Sequence, residues 1–575
     1  MRALPRRKYW LKWAKRLFWP STPSPDKSHR TALSRVKFCI LLSGFCFFGL
    51  SAKAIYLTTG HEAAGTPGYA SSAPVTRGAI TDREGRILAH TVPVMVLHAD
   101  PAEVMNVRET AAKLARLLPH KSEHQLIKEL SRKSRYVELD RKLTPQRHAA
   151  VLELGLPGIH TSPATTRLYP NGREAAHILG QMNKDGRGIA GLEKSLNPQL
   201  SAGHDVALSI DLGVQAIVRA ELNRQIKLFE AIGGVGLVLD IQTGELVSLV
   251  SLPDYDPNHY QLAETEALFN NATKGVFEMG SIFKVLNTAI ALETGVSNAY
   301  SSFDVTKPLR VARHMIRDYH PVKRPLNLSE VLVYSSNIGS AKVAEAFGPQ
   351  VQKDYMGKLG LLERSSLELP ETASPLIPSN WGRIASMTIS YGHGMSVSPV
   401  HASAALAAAA GYGEYITPTL LKRSPGEVFE RQRIFSDDTV RYVRSMMRLV
   451  VTHKEGTANF ADAEGYVVGA KTGTAEKIKN KRYDKGNNRV SLIASFPIHK
   501  PRYLVFVMVD EPQPQKFSYG YATAGWVTAP LAKRIIEHIS PVLNVHPVAE
   551  NAPEIGQNLV PELLKFKKGA IVASF

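Results

Sequence analysis

The hydrophobic pattern along the chain changes period several times, and each change predicts an element. Residues 38–52, FCILLSGFCFFGLSA, are apolar or small, and AIYL continues the run beyond Lys53. Together they give about 20 residues, enough to cross a hydrocarbon core of roughly 30 Å as a helix. A Gly/Ser/Pro/Ala-rich stretch, TTGHEAAGTPGYASSAP, follows. Order resumes at TRGAITDREGRILAHTVPVMVLHADP, where the DREG turn between two β-rich runs predicts a hairpin. Residues 108–155 are mostly helical in pattern. Residues 167–203 are turn-rich and read as a connector rather than a core.

A second regime starts near Leu208. GGVGLVLDIQTGELVSLVSLP predicts two strands around Gln242, Thr243 and Gly244, and helical patterns dominate from about 281 to 455. Strands return in GYVVGAKTGTA, RVSLIASFPI and RYLVFVMVD, and PLAKRIIEHIS then reads as a helix. Strands at both ends of a helical block predict one antiparallel sheet, assembled from distant segments and covered by helices, an α+β domain. Beyond about 546 the chain is polar and Pro-containing and is expected to be a loosely held tail. No repeat of 20 to 50 residues is visible.

The length of 575 residues suits two or three domains. A formal charge of +19 raises the question of nucleic acid, but residues 1–37 alone carry eleven Lys/Arg against one acid, Asp26. The basicity is mostly a tail, and nucleic-acid binding is not expected. A basic flank before a single apolar span predicts that flank in the cytoplasm and the long remainder outside. A cleaved signal peptide is the rival, with LSAKA as its cleavage site. An uncleaved anchor is favoured, because the apolar run resumes after Lys53 and the basic segment is long. Cys39 and Cys46, the only cysteines, lie in this span, so the exported part uses neither disulfides nor Cys-ligated metal. Within the tail, YWLKWAKRLFW admits two readings, a helix lying in the inner-leaflet interface or a disordered basic arm.

Three short motifs carry candidate chemistry. In FEMGSIFKVLNTAIALETG, Ser281 and Lys284 lie three apart at a predicted helix start. Free N–H groups and the positive dipole end favour an anionic oxygen there. Roughly two Ser-x-x-Lys matches are expected by chance in a chain this long. Two decoys occur, Ser24 with Lys27 and Ser34 with Lys37. Ser335-Ser336-Asn337 lies between two helical segments, 54 residues after Ser281, where Asn337 also suits a helix cap. Lys471-Thr472-Gly473-Thr474 follows 136 residues later, at the end of an apolar strand, and is expected roughly 0.01 times by chance. Each alone has a bland reading as cap, solvated lysine or surface turn. Order, spacing and context together do not.

The set resembles that of the penicillin-recognising serine acyl-transferases. RGAITDREGRILA, LYPNGREAAHILG, GIAGLEKSLN, VLDIQTGELVSLVSLPDYDPN and TAGWVTAP are similar to segments of class B penicillin-binding proteins. The likeness covers about 77–540, and the FEMGSIFK setting with a short pedestal looks most like the division-specific FtsI type. Met279 stands where that family usually has proline.

The resemblance implies a basic tail (1–37), an anchor (38–57), a linker (58–76), a β-rich pedestal of dimerisation type (77–207), a serine β-lactamase-like transpeptidase domain (208–545) and a C-terminal tail (546–575). It implies that Ser281 attacks D-Ala-D-Ala stem peptides, with Lys284 as candidate base and Ser335 as proton relay. Asn337 would position Lys284 and the substrate amide. Lys471, Thr472 and Thr474 would bind the terminal carboxylate, and Gly473 would let the stem peptide pair along the strand. The backbone N–H groups of Ser281 and Thr474 would form the oxyanion hole. No cofactor or metal is implied. Implied partners are nascent peptidoglycan or its lipid-linked precursor, β-lactams, the inner membrane, an FtsW-like glycosyltransferase and other divisome proteins. An unperturbed lysine is almost wholly protonated at pH 7, and making it half neutral takes roughly 4.6 kcal/mol. Burial and the like charge of Lys471 are the expected sources.

Rival readings are a side-wall transpeptidase of the same class, a β-lactamase or penicillin sensor, and a non-catalytic membrane scaffold. No Glu-x-x-Leu-Asn pattern lies between Ser335 and Lys471, so the deacylating glutamate of a class A β-lactamase is missing. The loop EKIKNKRYDKGNNR after the third motif is basic, and reads as a solvated loop rather than a site for an anionic glycan or lipid head.

Overall fold

The computed structural model describes residues 25–59, 76–312, 314–479 and 482–564. The chain divides by contact into two units, 1–75 and 76–575. In the first, helix α1 (Pro25–Thr59) contains the predicted span, with an apolar window at Val36–Lys53 whose residues are all exposed. Such a helix is stable alone only where lipid replaces water around it. The expected interfacial helix of the basic tail lies outside the described residues.

The second unit begins with a small sheet of β1 (Ile80–Thr81), β2 (Ile87–Ala99), β3 (Val137–Leu143), β4 (Ile159–Leu168) and β5 (Val206–Ala207). Long β2 organises it, pairing antiparallel with β1, β3 and β4, while β5 runs parallel to β1. The predicted DREG hairpin is the β1–β2 turn. The mostly helical reading of 108–155 holds in three helices, α2 (Val107–Leu117), α3 (Glu123–Leu130) and α4 (Pro145–Glu153), with the unpredicted strand β3 between the second and third. They form a separate core with Leu97, Leu114, Leu126, Leu139 and Val151.

Residues 167–203 are not a mere connector. Their turns are real, yet Tyr169, Ile178, Leu179, Leu192 and Leu200 are buried in the main core. Glu193 is completely buried between two guanidiniums: Arg77 Nε donates to Oε2 and Arg167 Nε to Oε1, both at 2.7 Å. Arg77 also reaches the Glu193 carbonyl, Asn197 and Ser201, so this buried charge is paired and hydrogen-bonded on all sides. Turn residues dominate the local signal, and long-range pairing decides burial.

The larger sheet uses β6 (Gly233–Asp240), β7 (Leu246–Leu252), β8 (Gly469–Lys479), β9 (Arg482–Phe496) and β10 (Tyr503–Asp510) in the order β8-β9-β10-β6-β7. Every pairing is antiparallel, as predicted. Helix α5 (Leu212–Leu228) packs over β6 and β7. Between β7 and β8 lie α6 (Lys284–Glu293), α7 (Leu328–Val333), α8 (Asn337–Lys358), α9 (Pro399–Ala410) and α10 (Asp437–Thr452). Helix α11 (Ala524–Val542) closes the fold over β9 and β10.

Two further expectations fail. Of the basic stretch 476–489, residues 476–479 continue β8 and 482–489 belong to β9, and Lys477 pairs with Asp510 at 3.1 Å and Glu511 at 2.5 Å. The segment after 546 is held as far as Leu564. Ile555, Leu559, Val560 and Leu563, spaced as on one helical face, are buried.

Candidate active site

Strand β8 lies at the edge of the large sheet, paired only with β9 among the described residues. It carries Lys471 to Thr474 in its first half rather than at its end. The nucleophile turn comes up beside it. Ser281 stands in a 3-10 turn, Gly280–Phe283, and α6 starts only at Lys284, so the predicted α-helical first turn is a tighter one. Gly280 has φ +57°, and a Cβ there would lie 2.7 Å from the Thr474 carbonyl oxygen. No side chain fits that position. At Gly473 a Cβ would meet the Met279 carbonyl at 2.8 Å and Ser491 Oγ at 2.6 Å. Glycine is therefore required here by the approach of the nucleophile turn.

These contacts bring together what the sequence separates by 190 residues. Lys284 Nζ lies 2.9 Å from Ser281 Oγ, 2.6 Å from the Ser335 carbonyl, 3.1 Å from Ser335 Oγ and 2.7 Å from Asn337 Oδ1. No carboxylate is among these partners. A neutral amine fits them: two N–H groups donate to Ser335 O and Asn337 Oδ1, and the lone pair accepts the Ser281 hydroxyl. Lys471 Nζ donates to Ser335 Oγ at 3.1 Å and to the Thr472 carbonyl at 2.9 Å.

Both lysines are buried, Lys284 1% and Lys471 0% exposed. Burial holds the Lys284 ammonium well below its usual pKa, the charge of Lys471 lowers it further, and Asp318 opposes this weakly. Burial brings Lys471 down to about 7. Desolvation and like charge are the two effects that deprotonate an amine, and both act on the residue that faces the hydroxyl.

The second motif is held by a residue that no motif signalled. Asp318 accepts from Ser336 Oγ at 2.7 Å and from the Ile338 N–H at 3.0 Å, while Asn337 Nδ2 donates to the Arg317 carbonyl. Ser336, rather than Asn337, caps α8. Ser335 is left in the left-handed region, φ +56°, which turns its carbonyl and hydroxyl together towards Lys284. Asp318 lies in a polar loop where only the folded chain reveals its partners.

Two more residues escaped sequence reasoning. Glu278 accepts from the Gly394 N–H at 2.7 Å, and Gly280 N–H donates to the Gly392 carbonyl at 3.1 Å, so the loop YGHG is clasped to the nucleophile turn. His393 in that loop is held below its usual pKa by burial, an effect Glu278 opposes. Thr457 accepts from Thr472 Oγ1 at 2.7 Å. Among the described residues no group of His, Cys, Asp and Glu has the arrangement of a metal site.

Comparison with known proteins follows the same division of the chain. The sequence model of the penicillin binding protein transpeptidase domain matches residues 234–537, and that of the penicillin-binding protein dimerisation domain matches 72–207. Over 548 residues the chain is 38% identical to the probable peptidoglycan D,D-transpeptidase FtsI of Caulobacter vibrioides, covering 92% of both. It is 33% identical over 511 residues to the peptidoglycan D,D-transpeptidase FtsI of Escherichia coli, covering 82% of this chain and 85% of that one. Penicillin binding protein 3 of Mycobacterium tuberculosis, solved with aztreonam, shares the fold with a TM-score of 0.67 at 23% identity, over 84% of this chain and 98% of that one.

Proposed function

The chain belongs to the class B penicillin-binding proteins of FtsI type, and from that membership we propose roles for the residues at its site. The protein is a serine-type peptidoglycan D,D-transpeptidase that cross-links stem peptides through an acyl-enzyme and is acylated by β-lactams.

Ser281 Oγ attacks the carbonyl of the penultimate D-alanine while Lys284 Nζ takes its proton. The negative oxygen of the tetrahedral intermediate is held by the N–H groups of Ser281 and Thr474, on backbones that Gly280 allows to touch. The C–N bond breaks, and the departing amine receives the proton through Ser335 Oγ, which lies between the two lysines. The terminal carboxylate is gripped by Lys471, Thr472 and Thr474, and Asn337 orients the substrate amide. Open edge strand β8 offers the stem peptide main-chain pairing alongside Gly473. An amine from a neighbouring stem then attacks the ester, forms the new amide and returns the proton to Ser281. The observation that carries this reading is the 2.9 Å contact between Ser281 Oγ and a buried lysine amine without a carboxylate partner.

The matches to 72–207 and 234–537 support a pedestal at 77–207 and a transpeptidase domain at 208–545. Helix α1, the one helix among the described residues long and apolar enough to cross a membrane, serves as the membrane anchor. Its basic flank supports a cytoplasmic N-terminus and a periplasmic catalytic domain at the inner membrane. Septal placement, with an FtsW-like glycosyltransferase and other divisome proteins as partners, is the reading that relatives named FtsI support; mid-cell fluorescence of a tagged copy tests it.

The decisive experiment is labelling with fluorescent penicillin. Wild type takes one stable covalent label, and Ser281→Ala takes none. Full label on Ser281→Ala would overturn the assignment, and rapid loss of label from wild type would point to a β-lactamase.

A further inference from the structure

Beside the third motif lies a cluster of aromatic rings that the chemistry above does not use. Trp526, in the first turn of α11, is its centre. Tyr521 stacks nearly parallel to the indole (8°, 6.2 Å), Phe460 tilts against it at 5.2 Å, and Tyr519 meets it edge-on at 5.7 Å. Packing has not covered them: Tyr519 is 80% exposed, Phe460 52% and Tyr521 51%. Rings of this size in contact with one another and still open to water mark a binding surface. Tyr519 also holds a left-handed backbone, φ +52°, unusual for a bulky residue and maintained only where the surroundings impose it.

A short chain of contacts ties the shelf to the third motif. Gly525, next to Trp526, brings its Cβ position to 3.0 Å from the Thr457 carbonyl. The hydroxyl of Thr457 bonds Thr472, whose carbonyl holds Lys471. A stem of about five residues spans at most roughly 17 Å when extended, so the sugars carrying a bound stem lie within that reach of Ser281. A pyranose ring presents an apolar C–H face and a polar rim. Flat rings with phenolic hydroxyls at their edges complement both, at little cost in side-chain entropy.

We propose that the Tyr519–Tyr521–Trp526–Phe460 shelf is a docking site for the amino-sugar strand of peptidoglycan, holding the glycan while its stem enters the groove. The inference rests on the transpeptidase reading and adds a carbohydrate subsite to it. The full chain in detergent, titrated calorimetrically with glycan strands stripped of their peptides, binds them; Tyr519→Ala/Tyr521→Ala weakens binding at least tenfold. Tyr519→Phe/Tyr521→Phe, which keeps the ring faces, retains most of it. Penicillin acylation, measured on the same samples, is unchanged in both variants. Absence of glycan binding by wild type, or equal binding by the alanine variant, overturns the shelf and leaves the transpeptidase reading intact. Loss of acylation in the alanine variant also overturns it, because the rings would then belong to the catalytic fold. Failure of wild type to react with penicillin would instead defeat the underlying reading.

Discussion

Lys284 and Lys471 address the same hydroxyl: each Nζ lies 3.1 Å from Ser335 Oγ, although the two lysines come from a helix and a distant edge strand. Two ammonium groups around one buried oxygen are costly, and burial together with the charge of Lys471 lowers the pKa of Lys284.

Opposite protonation states for the two lysines predict a bell-shaped pH dependence. In the proposed mechanism acylation needs neutral Lys284, a form that its lowered pKa favours, and charged Lys471 to receive the carboxylate. With Lys471 at about 7 in the free enzyme, the second-order rate of penicillin acylation falls as pH rises through that value. A rate still climbing at pH 9 would show that the charge of Lys471 is dispensable.

Burying two lysines also lowers stability. The usual pKa of Lys471 is 10.5 and its folded value about 7, so the unfolded chain binds more protons between these limits. The resulting penalty is full below about 7 and disappears as pH rises to 10.5. Lys471→Met should therefore raise Tm by a few degrees at pH 6.5, with the gain shrinking at pH 10, and abolish acylation. A lower Tm at pH 6.5 in calorimetry would contradict this.

Asp318 fixes the turn that aims Ser335 and Asn337. Asp318→Asn removes the charge from its bonds to Ser336 and the Ile338 N–H. Acylation should drop about 10- to 100-fold, the effect of a small misplacement of reacting groups, with Tm nearly unchanged. Acylation within twofold of wild type would leave Asp318 without a positioning role.

Glu193→Ala leaves Arg77 and Arg167 buried without their counter-charge. Removal of one partner from a buried pair costs about 3–5 kcal/mol. Thermal unfolding should shift down by many degrees, and a shift below 2 °C would mean that water or other groups replace the carboxylate.

Some of this was legible in the sequence and some was not. Ser281, Lys284, Ser335, Asn337 and Lys471 lie in short runs whose chemistry and order survive without coordinates. The large sheet was visible because β6, β7, β10 and the second half of β9 are apolar runs. Asp318, Glu278 and Thr457 are single polar residues in loops, and their roles exist only through partners elsewhere in the chain. The burial of Tyr169, Ile178 and Leu192 was hidden by the turns around them. Ile555 and Leu559 were hidden by a polar, proline-containing background, although their spacing was a readable signal.

Arg77 has a mechanical consequence. The second unit begins at Thr76, one residue before this guanidinium. A load applied at Thr76 meets Arg77 before it meets β1, a strand of two residues. The bonds of Arg77 to Glu193, Asn197 and Ser201 make it a strain relief. A pull on the N-terminal end of this unit is therefore met by Glu193, Asn197 and Ser201 before it reaches the strand pairing of β1.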